Sequence, residues 1–213
     1  MPNKKLTDGP WLSVPVYLLV WLAWAAWVLF AVPRLPLDSV SGSLIDSVAA
    51  KALVWLLPLF LLRKLPWKEL FQGRFPWLAC LILLCASAAF LHTLRLLNGL
   101  QNTYVFFDPM MLVFSLSAGV IEELSFRGGF FAWQRKRLGF WGAALLNGAM
   151  FTLYHYPELL LGQWQGLISL RALLIFTMGV AFCWMYHRWR NLALNMTVHS
   201  VWNILSYLFC LAG

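Results

Sequence analysis

Apolar residues run through this chain in long blocks separated by short polar interruptions, and those blocks set the architecture. Trp11 to Val32 is an uncharged apolar run of 22 residues. That is long enough, at about 1.5 Å per residue, to cross a hydrocarbon layer of about 30 Å. No small-x-small cleavage site followed by a polar mature start marks it as a leader. The same pattern predicts a second segment over 46–62, a third over 75–97 and a fourth over 109–131. A fifth opens near Leu138 and continues through Tyr156 to Leu161 despite Pro157, a sixth covers 166–186, and a seventh runs from Asn191 to the C-terminus. Between the second and third segments, Leu65 to Phe71 mixes Trp67 and Phe71 with Lys68 and Glu69, a composition that suits the headgroup region. Lys51, within the second run, is expected to snorkel toward its outer end. The prediction is an all-α membrane protein, a polytopic bundle of about seven transmembrane helices. It forms one integral domain over 1–213, with N-terminal helices at about 11–98 and a motif-bearing core at about 109–213.

Composition sharpens this picture. With 62% apolar and 11% charged residues and a mean hydropathy of +0.73, the chain lacks the polar residues needed to solvate a globular surface. The lipid bilayer is therefore its first partner. The net charge of +8 does not predict nucleic-acid binding, because the basic residues fall in short clusters between apolar runs. Twelve of the 16 Lys and Arg residues fall on one side if seven spans alternate. The positive-inside rule then puts the N-terminus in the cytoplasm and the C-terminus outside. Short loops and compact size point to a bacterial inner membrane. Cys80, Cys85, Cys183 and Cys210 all lie in apolar runs and read as small packing residues. Ala144 with Gly148, and Ala86 with Ala89, are small pairs that would let helices approach closely.

Only eight acidic residues exist, and two of them, Glu122 and Glu123, sit side by side inside the fourth apolar run. Ionisable groups at membrane depth are costly, so their presence is a functional hypothesis by default. On a helix Glu123 lies four positions before Arg127, the favourable order for an ion pair, while Glu122 points about 100° away. One acid is thereby held as an anion and the other left free. A carboxylate in a poorly hydrated site beside a second acid suits a group that must take up a proton near neutral pH. Two further segments carry polar stripes at the same four-residue spacing: Asn147, Phe151 and His155 in the fifth, and Asn195, His199 and Asn203 in the seventh. Hydrocarbon penalises such stripes unless they face one another across a polar cavity.

Together these residues supply the parts for hydrolysis by an activated water. Glu122 can accept the water's proton, and His155 can position the water and pass a proton to the leaving amine. His199 and Asn203, one turn apart, can hold the carbonyl oxygen as it becomes an oxyanion. Glu122-Glu123-x-x-x-Arg127, Phe151-x-x-x-His155 and His199-x-x-x-Asn203, in that order, resemble the three motifs of the CAAX protease and bacteriocin-processing family of intramembrane glutamate proteases. The resemblance covers about Val113 to the end of the chain. It implies an intramembrane endopeptidase in which the first glutamate and the histidine of the second motif activate water, while the third motif binds the oxyanion. It implies no cofactor. The expected partner is a membrane-anchored protein or peptide substrate, prenylated or not, cut near the cytoplasmic face. The sequence does not set an oligomeric state.

Three other readings use the same residues. Glu122, His155 and His199 are ligand types found at catalytic zinc, although no His-Glu-x-x-His helix is present. A membrane peptide-binding or immunity protein of the same fold would keep the cavity without cutting. Glu122 in a proton-coupled transporter would be a proton-sharing acid, but no internal symmetry accompanies it. One geometrical tension also stands out. From the predicted inner ends, Glu122 and His199 lie about 12–13 Å deep but His155 about 25 Å, so the fifth helix must start later or tilt if the three are to meet.

Overall fold

The computed structural model describes residues 12–37, 39–100, 108–161 and 170–209. Lys4, Lys5, the middle of the polar loop at 101–107, the expected start of the sixth segment at Gly166, and Cys210 lie outside the described residues. Apolar runs with no competing polar periodicity become helices, because only internal hydrogen bonding satisfies the backbone in lipid. α1 is Ser13–Arg34 and α2 is Val40–Leu61, the latter opened by Ser39, whose side chain accepts from the Gly42 amide. α3 is Trp77–Leu97. α4 (109–138) starts with Asp108 accepting from the Met110 amide and Pro109 in the first turn. α5 follows at 140–161. α6 is Leu170–Trp189, and α7 is Leu192–Leu208, capped by the side chain of Asn191.

The described residues thus form seven helices where seven apolar runs were expected. Length and apolarity qualify four elements to cross a membrane: Ser13–Arg34, Val40–Leu61, Trp77–Leu97 and Pro109–Glu158. The last joins the expected fourth and fifth segments into one 50-residue unit. It is broken at Gly139, whose φ of 65° and ψ of −172° only glycine adopts without strain. α4 and α5 fold back on each other about this point as a helical hairpin. Asn147 donates from Nδ2 to the Phe126 carbonyl at 2.9 Å, and the rings of Phe126 and Phe151 meet at 5.0 Å.

The hairpin resolves the depth tension between Glu122 and His155. α4 does not stop at Phe131; Gln134, Arg135, Lys136 and Arg137 continue it to the break. Glu122 precedes Gly139 by about 17 residues and His155 follows it by about 16, so both stand roughly 25 Å from the turn. Directly after the two glutamates, Leu124–Phe131 widens into π-helical turns. Such widening recurs at functional sites because it re-aims the side chains on either side.

The basic segments around 63–74, 135–137 and 187–190 lie close together. The Lys64 ammonium lies 4.5 Å from the ring centre of Trp133, the Gly73 amide donates to the Arg190 carbonyl at 2.9 Å, and Phe140 stacks on His187 at 4.7 Å. The segment expected merely to rest at the interface is built in among them. Leu65 and Leu70 are buried, and the Leu192 amide donates to the Leu70 carbonyl at 2.8 Å.

Between lipid-facing helices apolar burial gives no net drive, so close packing and interhelical hydrogen bonds hold the bundle. Tyr17, Trp24, Trp55, Phe126, Phe130 and Tyr154 are all buried. Tyr17 donates to the Met150 carbonyl and Trp21 to the Leu153 carbonyl, tying α1 to α5. α4 and α7 come close at Gly119, where a Cβ would stand 2.1 Å from the Ser200 hydroxyl. Gly148 packs on α6 as its size suggested. Ala86 and Ala89 instead face outward.

Candidate active site

Glu123 anchors the site. Its Oε1 accepts from Arg127 Nη1 at 2.9 Å and from His199 Nδ1 at 2.9 Å, and its Oε2 accepts from Asn195 Nδ2 at 3.2 Å. Glu123 and Arg127 are both fully buried, as isolated charges in hydrocarbon could not be. Arg127 also donates from Nη2 to the Gly179 carbonyl at 3.1 Å, and its guanidinium lies 4.4 Å from the centre of the Phe151 ring. The expected i, i+4 ion pair therefore forms, and it serves as the bolt that joins α4, α6 and α7.

Through this bolt His199 is oriented. With Nδ1–H donating to Glu123, Nε2 faces Glu122 and stands 3.7 Å from its Oε2. The ring is held between Phe151 and Phe182 at 5.9 and 5.4 Å. Asn195, one turn before, spends its amide on Glu123 and on the Phe182 carbonyl, the latter at 2.8 Å. Asn203 follows His199 by one turn on α7 and is half-buried.

Glu122 is not the free acid its helix position suggested. Its Oε1 accepts from the Tyr154 hydroxyl at 3.0 Å and from Lys51 Nζ at 3.4 Å. Its Oε2 is buried and, among the described residues, has no hydrogen-bond partner. Lys51, expected to snorkel outward, instead turns inward from the middle of α2, its side chain 14% exposed. Lys51 and Tyr154 are the two groups that sequence reasoning missed. The signal for Lys51 was present, since it is a cation in the middle of an apolar run. For Tyr154 there was none, because its position next to His155 says nothing of a carboxylate on another helix.

His155 lies at the margin of this network. Its ring packs edge-on against Phe151 and Tyr154 at 5.0 and 4.7 Å, and its Nδ1 is 3.8 Å from Glu158 Oε2. Glu158 is on α5 one turn beyond it. Asn147, grouped with His155 on one stripe, is displaced from the site: it clamps the hairpin through Phe126 and accepts from the Cys183 thiol at 3.3 Å. Among the described residues no three His, Cys, Asp or Glu side chains are grouped so as to hold a metal ion.

Two adjacent acids, one locked and one presenting a bare oxygen to a histidine on another helix, form a site suited to moving a proton. The comparison with protein families bears on which reaction that is. Residues 105–205 match the family model for Rce1-like, type II CAAX prenyl endopeptidase Rce1-like. This stretch is similar to that CAAX protease family. All three motifs fall inside it, from Glu122 to Asn203, whereas Lys51 does not. The apolar helices and this similarity together make the chain an integral membrane protein. No curated protein and no solved structure matches the chain.

Proposed function

We propose that the chain is an intramembrane endopeptidase that hydrolyses a peptide bond of a membrane-associated protein or peptide, with Glu122 activating the water. The observation that carries this is the state of Glu122. One oxygen is held by Tyr154 and Lys51, and the other is buried, unpartnered and 3.7 Å from His199 Nε2. A water at Oε2 would give its proton to Glu122 as its oxygen attacks the scissile carbonyl carbon. The carbonyl oxygen, now an oxyanion, would be received by His199 Nε2–H and the Asn203 amide. With Nδ1–H already given to Glu123, that role requires His199 to carry both ring protons. As the C–N bond breaks, the proton held by Glu122 passes to the leaving amine, with His155 as the relay nearest the Tyr154 end of the site.

No metal takes part in this scheme. Tyr154 and Lys51 occupy one Glu122 oxygen and Glu123 occupies His199 Nδ1, so Glu122 and His199 keep one free donor each, while His155, the third zinc-ligand type, is turned to Glu158 at the margin of the site. In the bilayer we place seven helices crossing, with the basic segments and the N-terminus in the cytoplasm of a bacterial inner membrane. The family's name supports prenylated C-terminal peptides as the substrates to try first.

The test compares new protein termini in membranes carrying the wild-type chain or Glu122→Gln, at matched expression and thermal stability. Termini produced by the wild type alone establish proteolysis and name the substrate. Identical termini with both chains folded would refute the reading in favour of a peptide-binding protein.

A further inference from the structure

The geometry points to Lys51 and Tyr154 as a clamp that aims the catalytic carboxylate, so that the N-terminal helices, outside the family-matched segment, complete the active site. This rests on the proposed role of Glu122. Two adjacent buried acids need two cations, and the bundle supplies one to each: Arg127 to Glu123 at 2.9 Å and Lys51 to Glu122 at 3.4 Å. The two pairs are not alike. Glu123 has a partner on each of its two oxygens, whereas Lys51 and Tyr154 both bind the same oxygen of Glu122, Oε1, and leave Oε2 to face His199. A carboxylate fixed at one oxygen has its remaining lone pairs in a defined direction, and positioning of this kind governs the rate of a step that depends on near-attack geometry.

The clamp is itself held from several sides. The Lys51 ammonium lies 5.8 Å from the ring centre of Trp24 and 5.7 Å from that of Tyr154, which confines an otherwise flexible side chain. Tyr154 stacks on Trp24 at 5.8 Å and meets the edge of Trp55 at 5.0 Å. α1 supplies Trp24, α2 supplies Lys51 and Trp55, and α5 supplies Tyr154. Three of these four residues precede residue 105, where the family match begins. Lys51 is a positioning residue in this scheme: it acts on the water only through Glu122.

The experiment uses the purified full-length chain in detergent, with an internally quenched peptide ending in a farnesylated cysteine and three further residues as the probe. Lys51→Met should lower kcat by about 100-fold with little change in KM, the loss expected when a reacting group is misplaced by about an ångström. Ethylammonium should restore rate to Lys51→Ala and not to Glu122→Gln. Thermal midpoints answer separately and need no substrate. Lys51→Met, which leaves a buried carboxylate unpaired, should melt lower than the wild type, and Lys51→Met with Glu122→Gln should regain most of that loss. Full kcat in Lys51→Met beside an inactive Glu122→Gln would overturn the clamp and leave the proposed function standing. Additive midpoint losses would overturn it too. Full activity in both variants would instead remove the role of Glu122.

Discussion

Replacing Arg127 by Met tests whether the buried ion pair is the bolt of the site. The change keeps an apolar side chain of similar reach but leaves the Glu123 carboxylate in a fully buried position without its cation. Removing one partner from a buried pair costs about 3–5 kcal/mol, because the remaining charge keeps its desolvation penalty without compensation. Arg127 also loses its bond to the Gly179 carbonyl and its contact with Phe151, so the upper part of that range applies. For a chain of this size each kcal/mol corresponds to about 2–4 °C in melting midpoint, so about 4–5 kcal/mol gives a drop of roughly 8–20 °C. Intrinsic tryptophan fluorescence during a thermal ramp at a fixed scan rate reads the shift, with the wild type run in the same detergent. The double variant Glu123→Met with Arg127→Met, which removes both charges, should lose less than the two single losses combined. An Arg127→Met midpoint within about 1 °C of the wild type, or strictly additive losses, would refute the pairing argument.

Three further outcomes follow from the same geometry. Asn203→Ala should lower kcat by about 100-fold or more with a normal melting midpoint, the loss seen when one oxyanion donor is removed, as measured by hydrolysis of the quenched peptide. Gly119→Ala places a methyl 2.1 Å from the Ser200 hydroxyl and forces α4 from α7, so about 1–3 kcal/mol of stability should go with it, visible as a lower midpoint. Dialysis against 1,10-phenanthroline should leave the hydrolysis rate unchanged, and loss of rate with recovery on zinc addition would bring the zinc reading back.

Seven apolar runs, the polar stripes of three of them and the Glu123–Arg127 pairing were legible in the sequence, since each depends on spacing along a single helix. Residues four apart share a helix face whatever surrounds them. Three things were decided only by how helices meet. The fourth apolar run ends at 131, yet Gln134 to Arg137 continue α4 because Gly139, with its positive φ, is where the chain can turn, and this extra length brings Glu122 and His155 to one level. Asn147 shares a stripe with His155 but donates to the Phe126 carbonyl, because this part of α5 lies against its hairpin partner α4. Lys51 has no spacing relation to Glu122 at all. Its partner comes from another helix 71 positions along the chain, and a contact of that kind is set by the packing of α1 and α2 against the hairpin, where an inward cation can meet a buried carboxylate.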